Sequence, residues 1–79
     1  MQGYFKQKYM AIIRELQGKK PSFGENVFIA ETSVIIGDVS VGDDCSIWYN
    51  AVLRGDVHYI KIGNQVNIQD NVMVHCTYK

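Results

Sequence analysis

From Val27 onward the inward-type residues of this chain come in pairs two positions apart, and the pairs recur every six residues. The series runs Val27/Ile29, Ser33/Ile35, Val39/Val41, Cys45/Ile47 and Ala51/Leu53, then resumes after a longer step with Ile60/Ile62, Val66/Ile68 and Val72/Val74. Of these sixteen positions only Ser33 is plainly polar. A separation of two is the strand period, so both members of a pair face the same side. A separation of six between pairs is the hexapeptide repeat of a parallel β-helix. An amphipathic helix cannot keep a strict period of six, and a hairpin sheet would carry turn residues at wider spacing. With three faces to a coil, the eight pairs build a little under three coils. Gly42 and Gly63 each follow a paired residue, where a turn calls for a permissive backbone, and Gly37 lies inside a pair's interval, where it would serve a corner.

The repeat breaks once. Leu53 and Ile62 stand nine residues apart rather than six, so three extra residues must bulge out near Gly55-Asp56-Val57-His58. Stacking fixes the coil of a solenoid, and insertions are expelled as loops on one face, often the binding face.

Residues 1–20 follow another pattern. Phe5, Tyr9, Ile12, Ile13 and Leu16 make an apolar stripe at helical spacing, with Lys6, Gln7, Lys8, Arg14 and Glu15 opposite and Gly18 and Pro21 as stop signals. The stripe predicts an amphipathic helix; Ala11 to Leu16 could instead form a short strand leading into the repeats. The expected architecture is therefore all-β. It has an N-terminal extension or cap over 1–20, read as helical, and a parallel β-helix domain over 21–79.

Seventy-nine residues make at most one small domain with a modest core. The ends of such a solenoid expose strand edges that call for a cap or a partner. The formal net charge is zero, so nothing electrostatic favours nucleic acid or an anionic membrane. No apolar run is long enough to span a bilayer, and no secretory signal is evident. Cys45 and Cys76 do not make a disulfide framework and are read as free thiols. A cytoplasmic protein is expected.

The chemistry-bearing side chains gather around the break. Arg54 and Asp56 flank Gly55, and Asp70 follows further on; an Arg between carboxylates forms directional, bidentate pairs, or else a solvated surface pair of little energy. Asn67 and Gln69 alternate with inward residues and so point outward, where amides orient a water or a small anion or form a polar ladder. His75 follows inward Val74 and also points out. A neutral imidazole is a good zinc ligand, yet a catalytic zinc takes three protein ligands. His58 sits in the bulge, and Cys76 should face away from His75. Trp48 is outward by alternation and is read as packing against another subunit.

Taken together, Ile36-Gly37-Asp38-Val39, the run from Cys45 to Val57 with its Arg54-Gly55-Asp56, Ile62-Gly63, Asn67-Ile68-Gln69-Asp70 and His75 closely resemble the N-terminal part of γ-class carbonic anhydrase-like proteins. The resemblance covers roughly Met10 to the end. It implies a left-handed β-helix in a homotrimer, with a metal at each subunit interface held by three histidines from two chains. The metal would be zinc, with iron or cobalt as alternatives. His75 matches the first of those histidines. Gln69 and Asn67 match residues that hydrogen-bond the metal-bound water, and Arg54, Asp56 and Asp70 match an interface ion-pair cluster. The implied reaction is reversible hydration of CO2 to bicarbonate, for which a metal brings the pKa of bound water toward neutrality. The family's two further histidines lie beyond the last residue here, so the resemblance implies a truncated chain that need not be active. Two other readings fit the repeat: a non-catalytic trimeric β-helix scaffold or assembly module, and an acyl-CoA thioesterase or acyltransferase on the same fold.

Overall fold

The computed structural model describes residues 10–75. Eight short strands follow one another: β1 (Ile12–Arg14), β2 (Ser22–Phe23), β3 (Phe28–Ile29), β4 (Val34–Val41), β5 (Ser46–Ile47), β6 (Val52–Ile62), β7 (Asn67–Ile68) and β8 (Met73–His75). All pairings between them are parallel. One sheet runs β1-β4-β6-β8 with β2 beside β4, and the other runs β3-β5-β7. Each strand therefore pairs with strands a whole coil away, which is the defining connection of a β-solenoid. Val34 faces Val52, eighteen residues on, so one coil is three hexapeptides. Val52 faces Met73, twenty-one residues on, so the next coil carries the insertion.

The inward set matches the six-residue series. Twelve of its sixteen members are buried, with Ile35, Ile47, Ala51 and Leu53 wholly so. The exceptions, Ile62, Val66, Val72 and Val74, all lie in the last coil, which has no described coil stacked on it. Ser33, the one polar member, is fully buried and satisfies its hydroxyl by donating to the Trp48 carbonyl at 2.8 Å. Cys45 is a free, buried thiol that donates to the Gly63 carbonyl at 3.0 Å.

Corners recur with the coil. Asn26, Asp44, Asn50, Gln65 and Asn71 all take left-handed backbone conformations, with φ between 58° and 63°. Asn and Asp adopt that region more readily than other residues with a side chain. The corners are laced to one another: the Glu25 amide donates to Asp43 Oδ1, the Asp43 amide to Asn64 Oδ1 and Asn26 Nδ2 to Asp44 Oδ1, each at 2.8 Å. Gly42 and Gly63 are not the residues that turn the chain, contrary to the expectation from the repeat: the positive φ falls two residues later, at Asp44 and Gln65. Gly42 is needed for space, because a Cβ there would lie 2.8 Å from the Gly63 carbonyl oxygen in the next coil.

The helix expected over the N-terminal stripe is not formed where the structure describes it; Phe5 and Tyr9 lie outside the described residues. Ile12–Arg14 is β1, in register with Val34–Ile36. Ala11 is buried, Ile12 is 46% exposed and Ile13 is half-buried, an alternation that helical spacing would not produce. The edge of β4 supplies partners for the β1 backbone that a short helix could match only internally, and tertiary pairing outweighs so weak a propensity. Gly18 does not stop a helix either. With Gln17 (φ 53°) and Gly18 (φ 78°) at its centre, a two-residue turn joins Leu16 to Lys19 through reciprocal backbone bonds of 2.8 and 3.0 Å. Among the described residues no helix is long and apolar enough to cross a membrane.

Candidate functional site

The insertion falls where the spacing put it. Gly37 pairs with Gly55, but Val39 pairs with Ile60, so three residues of β6 have no counterpart in β4. The bulge satisfies two of its own amides. The Val57 amide donates to Asp56 Oδ1 at 2.8 Å, and the Tyr59 amide donates to His58 Nδ1 at 3.0 Å. Val57 and Tyr59 are exposed, and the His58 and Tyr59 rings meet edge to face at 4.9 Å.

Beside the bulge, β8 stacks directly on β6, with His75 in register with Arg54. His75 sits between Arg54 and Asp56. Arg54 Nη2 lies 3.3 Å from His75 Nδ1, and His75 Nε2 lies 3.0 Å from Asp56 Oδ1. Arg54 Nη1 and Asp56 Oδ2 are 3.7 Å apart, which closes the ring of three side chains. Their side chains are 40% (Arg54), 28% (Asp56) and 22% (His75) exposed, so the cluster is neither buried nor fully solvated. The Val57 amide holds the Asp56 carboxyl below the usual carboxylate range; desolvation opposes it, and His75 and Arg54 add smaller downward pulls. Arg54 Nε is buried and has no hydrogen-bond partner among the described residues.

The other expected site residues are not drawn into this cluster. Asn67 lies on β7, where its Oδ1 accepts from Ser46 Oγ, which in turn accepts from Trp48 Nε1 at 2.9 Å. Gln69 and Asp70 are exposed at the following corner and form no side-chain hydrogen bond or ion pair among the described residues. Trp48 is half-buried with its ring 4.9 Å from that of Phe28, so part of it packs within its own chain. The direct contact of His75 with both charged residues was not foreseen. Its signal was present in the spacing, since Arg54 and His75 stand twenty-one residues apart, the length of the interrupted coil.

Two cavities adjoin the cluster. One of about 500 Å3 at the end of the last coil is lined by His58, His75, Lys61, Ile60, Ile62 and Val74. The other, about 330 Å3, lies between the Gln17-Gly18 turn and the bulge, where Lys19, Asp38, Asp56 and His58 line it.

The described residues do not by themselves fit a resident metal. No three His, Cys, Asp or Glu side chains among them converge as ligands. His75 is the one histidine of the cluster, and both of its ring nitrogens face protein groups. A catalytic zinc takes three protein ligands and an open position.

The fold and this polar cluster define a hexapeptide-repeat β-solenoid with its polar side chains gathered at a break in the repeat. Residues 20–55 match the family described as bacterial transferase hexapeptide (six repeats). The chain is 60% identical over 53 residues to the probable carbonic anhydrase of Methanocaldococcus jannaschii, covering 67% of this chain and 33% of that protein. It is 47% identical over 68 residues to protein YrdA of Escherichia coli, covering 86% of this chain and 37% of that protein. Against the mitochondrial gamma carbonic anhydrase 2 of Arabidopsis thaliana it is 51% identical over 57 residues, 72% of this chain and 20% of that protein. Over this stretch the chain is similar to hexapeptide-repeat proteins and, among them, to the N-terminal part of proteins named carbonic anhydrase, one of them of the gamma class. It spans about a third or less of the length of these relatives.

Proposed function

We propose that this chain is the N-terminal part of a γ-carbonic anhydrase-like enzyme for the reversible hydration of CO2, built as a homotrimer with a metal shared between neighbouring chains. The observation that carries the reading is the similarity to proteins named carbonic anhydrase, at 60% identity over 53 residues in one case. In this reading His75 gives one metal ligand. Asn67 and Gln69 face the bound water from the adjacent coil face. Arg54, Asp56 and Asp70 form ion pairs across the subunit interface, for which Asp70 stands exposed. The metal is zinc, with iron or cobalt as alternatives. The expected boundary at residue 20, with an N-terminal extension before it, belongs to the same reading.

The test is His75→Ala in the protein at its full native length, followed by metal analysis and CO2 hydration. Loss of both supports the assignment; metal content equal to that of the parent protein overturns it. A second reading, a non-catalytic trimeric scaffold, is favoured by one observation: no three-ligand set exists among the described residues. A native mass spectrum taken without chelators separates the two. Trimers with one metal per interface fit the enzyme, and metal-free trimers fit the scaffold.

A further inference from the structure

The contacts of His75 carry a consequence for how it could ever bind a metal. An arginine guanidinium only donates hydrogen bonds. The nitrogen facing Arg54 Nη2 at 3.3 Å, His75 Nδ1, is therefore the acceptor and carries no proton. A neutral imidazole has one protonated and one unprotonated nitrogen, so the proton lies on Nε2 and is donated to Asp56 Oδ1 at 3.0 Å. The single lone pair of the ring points into a guanidinium.

Neither nitrogen is then open. Coordination through Nδ1 needs Arg54 to leave. Coordination through Nε2 needs the proton moved to Nδ1, which is impossible while Arg54 donates there. Both routes begin with the same step. A cationic guanidinium beside the ring also repels a divalent cation directly. We infer that Arg54 and Asp56 are positioning residues that hold His75 closed in the separate chain, so that a metal reaches His75 only after Arg54 is drawn away. The inference rests on the proposed role of His75 as a metal ligand. It adds that ligation and displacement of Arg54 are one event. Any contact that takes Arg54, such as a carboxylate of a second chain, would thus open the site, and an isolated chain would discriminate against metal.

The test is made on the metal-free 79-residue chain by long-range proton–nitrogen NMR of the histidine rings, followed by titration with cobalt(II). His75 is expected in a single tautomer, protonated at Nε2 and unprotonated at Nδ1. In Arg54→Met the Asp56 carboxylate still accepts from Nε2, so the same tautomer should persist with its Nδ1 lone pair uncovered, while Arg54→Lys, whose ammonium also donates, should resemble the parent. A closed form that occupies about nine-tenths of the molecules weakens apparent affinity about tenfold. Paramagnetic broadening of the His75 ring should therefore reach its midpoint at about tenfold lower cobalt in Arg54→Met, with His58 in the same spectrum as the internal comparison. A parent His75 that averages between tautomers or is protonated at Nδ1 overturns the inference, and this result needs no variant to fold. Equal midpoints for parent and Arg54→Met overturn it too. Each of these failures leaves the family reading standing, whereas full-length protein whose metal ignores His75→Ala removes that reading and leaves the tautomer result intact.

Discussion

The glycines at the coil corners allow the stacking to be tested at equivalent positions. Val41 pairs with Ile62, so Gly42 and Gly63 are stacked one coil apart. A Cβ at Gly42 would lie 2.3 Å from Asn64 Oδ1 and 2.8 Å from the Gly63 carbonyl oxygen. A Cβ at Gly63 would meet nothing within 4 Å among the described residues. The Asn64 side chain can swing aside, but that releases its bond from the Asp43 amide, at about 1 kcal/mol. The Gly63 carbonyl is backbone and cannot move without stretching the ladder, including the Gly42 amide bond to Ile62 at 2.9 Å. Overpacking of that kind costs roughly 1–3 kcal/mol. Gly42→Ala should therefore lose about 2–4 kcal/mol, which for a domain of this size lowers Tm by roughly 10–25 °C. Gly63→Ala should be neutral or raise stability by up to about 1 kcal/mol, through a less flexible unfolded chain. Thermal unfolding followed by circular dichroism on the two variants decides the matter. Equal losses at Gly42 and Gly63 in this chain would refute the stacking argument, as would a silent Gly42→Ala.

Two further outcomes follow from the core and from the second face. Leu53 is wholly buried where the interrupted coil begins, so Leu53→Ala should cost about 2–5 kcal/mol, read as a fall in the urea midpoint with little change in slope. Ser46 Oγ joins Trp48 Nε1 to Asn67, and Trp48 is the one tryptophan of the chain; Ser46→Ala should cost about 1 kcal/mol and change the fluorescence emission of the folded state.

The coil was readable in the sequence because its signal is short-range and repeated. Two residues set a face, six set a coil side, and burial at Ile35, Ile47 and Leu53 follows. The insertion was readable for the same reason, as a miscount. The N-terminal stripe misled because Ile12, Ile13 and Leu16 suit a helix locally, while the deciding interaction is a ladder to Val34–Ile36, twenty-two residues away. Gly42 gives room between coils rather than turning the chain, and steric room of that kind leaves no mark on a single repeat. Of the site, the composition was legible and the wiring was not. Arg54 and Asp56 were paired through Gly55, and His75 was set apart as a ligand, yet a coil of twenty-one residues stacks all three. Asn67, Gln69 and Asp70 keep to the neighbouring face and corner, so any joint action with His75 must run through another chain or another coil.

The interruption explains both why the bulge is tolerated and why His75 is held where it is. Extra residues in a ladder leave backbone groups without cross-strand partners, and such groups must find others. Here the donors are met locally: Asp56 takes the Val57 amide and His58 takes the Tyr59 amide. Asp56 Oδ1 accepts from His75 Nε2 as well as from Val57, so one carboxylate oxygen secures the loop and positions the imidazole of the next coil. An uninterrupted eighteen-residue coil, like the one that sets Val34 against Val52, would pair the residues after Gly55 straight into the sheet and leave no amide for Asp56 to hold. The three inserted residues are therefore part of the site. They orient Asp56 toward His75, and a deletion that restored the six-residue period would be expected to tidy the solenoid while releasing the histidine.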